Sequence, residues 1–253
     1  MKIAVSGKGG VGKTTIAAGL IKYFEQRGYQ VIAVDADPDL SLGTVLGLPD
    51  EQIEHIKPIV DMRDLIVERT GDGAFFTLNP EVDDIIDEFS IPIGNIRFLK
   101  MGALKQGGSS CYCRENTVLH ALVASLLLRR DQVVVLDMGA GIEHLTRGTA
   151  QGVDMMLIVT EPSRTSIHTA KTVHGLASDL GIQHIKYIGN KIRRQEEAEY
   201  LKKNLGAHNF LGLLQFQESI NILSMNPDSG NLQKLASSLS EMGERLLKEV
   251  GTR

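Results

Sequence analysis

The chain has 253 residues, 42% of them hydrophobic and 23% charged, which is an ordinary balance for a water-soluble globular protein large enough to bury a sizeable core. A formal net charge of −4 gives no general electrostatic reason to bind nucleic acid or an anionic membrane. No apolar run approaches the roughly 18 residues of a membrane span, and the N-terminus enters a strand without a signal-peptide pattern, so a cytoplasmic protein is expected. The two cysteines, Cys111 and Cys113, are separated by one residue, which is poor spacing for a structural disulfide and fits a reducing compartment.

The first strand, Lys2 to Ser6, runs directly into Gly7-Lys8-Gly9-Gly10-Val11-Gly12-Lys13-Thr14-Thr15. Gly7, Gly12, Lys13 and Thr14 satisfy G-x-x-x-x-G-K-[ST] between a strand and a helix, the context that gives the motif meaning. Glycines let backbone N–H groups turn onto phosphate oxygens, and the helix that follows points its positive end at the same anion. Gly9 to Thr15 are therefore expected to cradle a nucleotide, with Lys13 on its β- and γ-phosphates and the Thr14 hydroxyl on Mg²⁺. Ile16, Leu20, Ile21 and Phe24 mark the first crossover helix, which Gly28 stops.

A buried strand from Gln30 to Asp35 ends in Asp35-Ala36-Asp37-Pro38-Asp39. Carboxylates at the C-terminal end of such a strand are placed to meet a nucleotide. Turn and cap duty around Pro38 is the competing use of all three aspartates. Residues 40–95 are irregular and acidic, with short helices around Ile56 to Val67 and a minor strand from Ala74 to Leu78. That face is expected to be solvated, with a basic docking partner as the alternative.

Ile96 to Met101 is a core strand that leads to Gly107-Gly108-Ser109-Ser110-Cys111-Tyr112-Cys113-Arg114 and then to a helix from about Glu115 to Leu128. In an extended segment both sulfurs would face one side and could meet one soft metal ion. Gln132 to Asp137 has the character of a Walker B strand, with Asp137 near Mg²⁺. Strands from Met155 to Thr160 and His184 to Ile188 flank a helix from about Ser166 to Leu180, and Asn190-Lys191 follows. A short strand from Phe210 to Leu214 precedes Gln215 to Gln217, which could flank a base or ribose. The closing helix, near Leu232 to Val250, is amphipathic but lacks a basic face and aromatic anchors for a membrane. Arg193-Arg194 and Lys202-Lys203 form a modest basic surface, open to DNA binding or to simple solvation.

Alternating strands and helices predict an α/β fold: one doubly wound domain over 1–253, with a mainly parallel sheet of about seven strands. Within it, Lys8 through Thr14 resembles the deviant Walker A loop of the MinD, ParA, ArsA and nitrogenase iron protein superfamily. The resemblance implies an ATPase that works as a homodimer, with Lys8 crossing to the partner's nucleotide. It further implies that Asp37 positions the attacking water, that Gly139 of Met138-Gly139-Ala140-Gly141 senses the γ-phosphate, and that Asn190 bonds adenine. Asp35 and Asp39 are supporting groups. Ala140 stands where an iron–sulfur reductase of the nitrogenase type would place a cysteine, which disfavours that chemistry.

Across nearly the whole chain the sequence is similar to the CooC-type accessory ATPases, which assist nickel insertion into carbon monoxide dehydrogenase and acetyl-CoA synthase. That resemblance rests on the Lys8 loop, Asp35-Ala36-Asp37-Pro38-Asp39, Gly107-Gly108-Ser109 and Cys111-Tyr112-Cys113. It implies that Cys111 and Cys113 from two subunits share one metal ion, so that four thiolates complete a site that two cannot. Nickel and zinc both suit such a site. The cargo is expected to be Ni²⁺ and the partner a nickel-dependent client enzyme, with no nucleic acid or membrane. The alternative is a MinD- or ParA-like positioning ATPase acting on membrane or DNA, its cysteines holding a structural zinc.

Overall fold

The computed structural model describes residues 1–37, 39–71, 77, 81–82, 84–102, 117–118, 121–123, 125, 132–139, 152–218, 220 and 229–250. Cys111, Cys113, Gly107 to Ser109, Ala140 and most of the expected strand at Ala74 to Leu78 lie outside these residues.

Among the described residues eight strands form one sheet: β1 (Lys2–Gly7), β2 (Gln30–Ala36), β3 (Ile91–Ile93), β4 (Ile96–Lys100), β5 (Gln132–Met138), β6 (Met155–Thr160), β7 (Ile185–Ile192) and β8 (Phe210–Gln215). Their spatial order is β3-β4-β2-β5-β1-β6-β7-β8. Neighbours pair in parallel except β3 with β4. The strand beyond the expected seven is β3, a three-residue antiparallel edge piece carrying Pro92, which only an edge tolerates.

Alternation along each strand divides the core into two layers. Ala4, Ile32, Val34, Val134, Leu136, Met156 and Ile158 face one layer. Ile3, Val5, Val31, Ala33, Val135, Leu157 and Val159 face the other. Both are buried, which is why the central strands read as continuous apolar runs rather than as alternating ones. Lys2 of β1 is fully buried in this interior, and its ammonium donates to the Val123 carbonyl.

Helix α1 (Lys13–Gln26) covers the second layer with Ile16, Leu20, Ile21 and Phe24. The closing helix proves to be two, Ser229–Ser238 and Ser240–Val250. They part at Leu239, whose N–H is shared between the Leu235 and Ala236 carbonyls. Met242 and Leu246 of the last helix are buried in the same layer, so its apolar face is occupied by the protein's own core. Helices Arg164–Asp179 and Gln195–Leu205 cover the opposite layer, the latter with Ala198, Leu201 and Leu205. Among the described residues no helix is long and apolar enough to cross a membrane.

Register fixes what meets at the sheet's C-terminal edge. Asp137 of β5 lies beside Val5 of β1 and Asp35 of β2, and Asp35 lies beside Lys100 of β4. Ligands of doubly wound sheets bind outside this edge.

Candidate nucleotide site

At the end of β1 the chain turns sharply around glycines. Gly7 has φ of +147°, and a Cβ there would stand 2.2 Å from the Val159 carbonyl oxygen of β6. Gly12, immediately before α1, has φ of +95°, and a Cβ there would meet the Asn190 amide nitrogen at 2.6 Å. Both spacings need a residue without a side chain. The helix therefore begins at the motif lysine with its first N–H groups free of side-chain caps.

Beyond the loop opens a cleft of about 450 Å³, lined by Gly10, Gly12, Lys13, Thr14 and Thr15, by Asp37 and Asp39, and by Asn190, Gln215 and Gln217. Thus most of the sequence-derived nucleotide residues converge. Lys8 is half-buried, Gly9 is exposed and Val11 is buried, all outside the cleft lining. Val11 enters the arrangement through its backbone, since its carbonyl accepts from the Asn190 amide at 2.8 Å.

The carboxylates have separate surroundings. Lys13 Nζ lies 3.4 Å from Asp37 Oδ2, both side chains being only 9% exposed, while Asp37 Oδ1 accepts from the Asp39 N–H at 3.0 Å. Asp35 is fully buried and acts as a junction. Its side chain accepts from the N–H groups of Leu42 (2.9 Å) and Asp37 (3.3 Å). Its main-chain carbonyl accepts from Met101 and Gly102, both at 3.0 Å. Of the two uses open to Asp35, the turn-holding one is the one its side chain performs here. Burial pushes the Asp35 carboxyl up to about 7, with its two backbone hydrogen bonds pulling the other way.

Asp137 is fully buried, and among the described residues neither of its carboxyl oxygens has a hydrogen-bond partner. Burial pushes it up to about 8; the nearby Thr14 hydroxyl opposes that shift, whereas Asp35 and Asp37 reinforce it. An unpartnered buried carboxylate is expensive in a folded protein unless something compensates it. A divalent cation held between Asp137 and Thr14 would do so, and the hard oxygen donors of the two residues fit Mg²⁺. Gly139, two residues on, is half-buried, and its carbonyl accepts from the Ser6 hydroxyl at 2.9 Å.

The sequence places Asn190-Lys191 after a strand from His184 to Ile188, whereas both belong to that strand, β7, which continues to Ile192. Cleft residues without a sequence signal also emerge. Ser41 and Thr44 enter from the segment after Asp39, with Ser41 Oγ 3.4 Å from Thr14 Oγ1. Phe216, by contrast, lies within the Gln215 to Gln217 stretch already expected to flank a base or ribose, and its ring is covered by the Arg193 guanidinium at 3.7 Å. Only the doubling of Asn190 by Lys191 could have drawn attention to a second β7 side chain at the loop. Among the described residues no group of three or more His, Cys, Asp or Glu is arranged to hold a metal ion.

A glycine-rich turn on a central strand, a lysine at the start of the following helix, and a buried strand-end aspartate beside a threonine hydroxyl define a P-loop ATPase. The chain belongs to the CobQ/CobB/MinD/ParA nucleotide-binding family, whose model matches residues 2–228. It is 44% identical over 228 residues to an ATP-binding protein of Methanocaldococcus jannaschii, covering 87% of each chain. It is 41% identical over 224 residues to the carbon monoxide dehydrogenase accessory protein CooC of Rhodospirillum rubrum, covering 87% of this chain and 85% of that one. Among solved structures, MinD of Aquifex aeolicus superposes with a TM-score of 0.67 at 21% identity, covering 98% of this chain and 96% of that one. MinD of Pyrococcus horikoshii with Mg-ADP gives 0.63 at 20%, covering 99% and 96%. At those identities the likeness speaks for the fold.

Proposed function

We propose that residues 1–253 form one ATPase unit that works as an accessory protein of a nickel enzyme, binding Ni²⁺ between two copies of the chain and handing it to a carbon monoxide dehydrogenase or acetyl-CoA synthase. The observation that supports this most is the 41% identity to a carbon monoxide dehydrogenase accessory protein over 87% of the chain, joined to a cleft built for a nucleotide. The occupied apolar face of the last helix speaks against the membrane-positioning alternative.

In the cleft, the backbone from Gly9 to Thr15 takes the phosphates and Asn190 takes adenine. Thr14 and Asp137 would hold Mg²⁺, which when bound neutralises charge on the β- and γ-phosphates. Lys13 pairs with Asp37. Phosphate oxygens draw Lys13 away, and Asp37 Oδ2 is then free to accept a hydrogen bond from the attacking water. Lys8, outside the lining of its own cleft, reaches the phosphates bound by the partner. Gly139 follows the γ-phosphate, and its release changes the dimer.

The metal-binding residues in this reading are Cys111 and Cys113, two from each copy, with zinc as the competitor of nickel at the same thiolates. The root of their segment, Met101-Gly102, hangs by two hydrogen bonds from Asp35, the residue that also orders Asp37. Asp35 thus links the residue assigned to the attacking water with the end of β4, from which the chain runs on toward the cysteines. Titrating reduced protein with Ni²⁺ while following thiolate charge-transfer absorption and mass in solution tests the reading. One nickel per dimer, lost in Cys111→Ala/Cys113→Ala, is expected; binding indifferent to both cysteines would sink the proposal.

A further inference from the structure

Consecutive residues of a regular strand project to opposite faces. Asn190 and Lys191 do not obey this. Lys191 has φ of +58°, a left-handed backbone that residues with a Cβ rarely adopt. Pairing with β8 shifts at the same place: β7 advances three residues from Gly189 to Ile192 while β8 advances two from Leu213 to Gln215. The extra residue is a bulge, a device that re-aims a side chain. Asn190 Oδ1 accepts the Lys191 N–H at 2.9 Å and closes it.

The consequence is that both side chains reach the phosphate loop. Asn190 Nδ2 donates to the Val11 carbonyl at 2.8 Å, and Lys191 Nζ donates to the Gly10 carbonyl at 2.5 Å. Glu161, just beyond β6, lies 3.5 Å from the same ammonium. Peptide units are planar and trans, so a carbonyl drawn toward β7 turns the N–H of its own unit away from β7. Fixing the Gly10 carbonyl therefore fixes the Val11 N–H, and fixing the Val11 carbonyl fixes the Gly12 N–H. The Val11 N–H makes a long bond, 3.4 Å, to the Lys8 carbonyl, which an anion can displace.

We infer that Lys191 is a positioning residue for nucleotide binding: it holds the Gly10 carbonyl outside the phosphate cradle before the ligand arrives, and Glu161 keeps its ammonium on that carbonyl instead of letting it swing into the cleft it borders. The inference rests on the reading that Gly9 to Thr15 take the phosphates. Its chemistry is that of a preset loop, which lowers the ordering a ligand must impose.

The test compares Lys191→Met, which keeps the stem, Lys191→Asn, which tolerates the left-handed backbone, Lys191→Arg and Glu161→Gln. Readouts are the Kd for Mg-ADP, kcat and KM for ATP, and the melting temperature without nucleotide. In the Met and Asn variants Kd and KM are expected to rise about tenfold, as for loss of one charge-assisted hydrogen bond, with kcat within about twofold of wild type. Glu161→Gln should show a smaller rise and Lys191→Arg should recover most of the affinity, while Lys191→Asn melts like wild type without nucleotide. Unchanged Kd in both Met and Asn variants overturns the inference, as does a fall confined to kcat, or a loss of affinity that tracks a lower melting temperature. Lys13→Ala separates the two levels. If it binds Mg-ADP as tightly as wild type, the phosphate-loop reading itself fails; if it loses binding while Lys191 variants do not, only the brace fails.

Discussion

On the β2/β5 side of the cleft, Asp137 is buried with both carboxyl oxygens unpartnered among the described residues, and Lys13 faces Asp37 across 3.4 Å while the other Asp37 oxygen accepts the Asp39 N–H. On the β7 side, Asn190 uses its amide nitrogen on Val11 and its oxygen on the Lys191 N–H, and the Lys191 ammonium meets both Gly10 and Glu161. The two sides sit on the same sheet edge but stand differently toward a ligand. The first carries an uncompensated group, the buried Asp137 carboxyl; the second is a finished frame that a ligand need not rearrange. Binding is thus expected to relieve strain at the phosphate and metal end while leaving the β7 end as it stands.

The sharpest way to break this comparison is at Lys13 and Asp37. Lys13→Ala is expected to lower kcat/KM for ATP by about 10²- to 10³-fold, the size of losing one preorganised charge on the reacting group. Asp37→Asn should lower kcat by about 10²-fold or more with KM little changed, as for loss of a water-orienting group. Steady-state ATPase assays measure both. An Asp37→Asn enzyme with normal turnover would remove the water-positioning role.

A smaller effect follows from pH. Burial pushes the Asp137 and Asp35 carboxyls up to about 8 and about 7 in the folded protein, against an ordinary value of 3.8. From about 4 upward the unfolded chain loses these protons while the folded one keeps them, so folded protein binds more protons and its stability falls as pH rises. The fall should end near 8, once Asp137 has ionised in both states. Melting curves from pH 4 to 8 are expected to show this decline, and Asp137→Asn should end it near 7, where Asp35 finishes. Mg-ATP binding at pH 7 should release protons, readable by calorimetry in two buffers of different ionisation enthalpy. Loss of that release in Asp137→Asn is expected; release unchanged by the substitution would mean that the carboxyl does not meet the metal.

The smallest expected effect is on the finished side. Asn190→Ala removes one buried amide and leaves the Val11 carbonyl without its partner, a loss of about 1–3 kcal/mol in stability even without nucleotide. Chemical denaturation measures it. Were nucleotide-free stability untouched and only nucleotide affinity reduced, Asn190 would be a base contact alone and the frame would not be preformed.

Contiguous chemistry was legible in the sequence. The glycine loop, Asp35 to Asp39 and the Asp137 strand each compress their function into a few neighbouring residues, and continuous apolar runs marked the central parallel strands because both faces are buried. What escaped depends on relations between distant residues. The left-handed backbone of Lys191 is set by the pairing of β7 with β8, and lysine carries no local preference for it. Asp35 serves as a junction because register brings β4 beside β2, a fact of sheet order. Helix Gln195–Leu205 has a charged first turn whose Glu197 caps the N–H groups of Arg193 and Arg194, and its short apolar stripe was submerged among those charges. The two closing helices shared one periodicity, and their break at Leu239 comes from hydrogen-bond sharing at a buried leucine rather than from a glycine or proline.

The central claim is that nucleotide state governs metal affinity, which requires ATP to favour one of two states that differ in their hold on nickel. The most direct measurement is the equilibrium Kd for Ni²⁺ of the reduced protein, taken with saturating Mg-ADP and again with a non-hydrolysable ATP analogue, beside Cys111→Ala/Cys113→Ala. The expected result is a cysteine-dependent affinity at least about tenfold different between the two nucleotides, a coupling of ordinary allosteric size. Equal affinities in both nucleotide states would contradict the account.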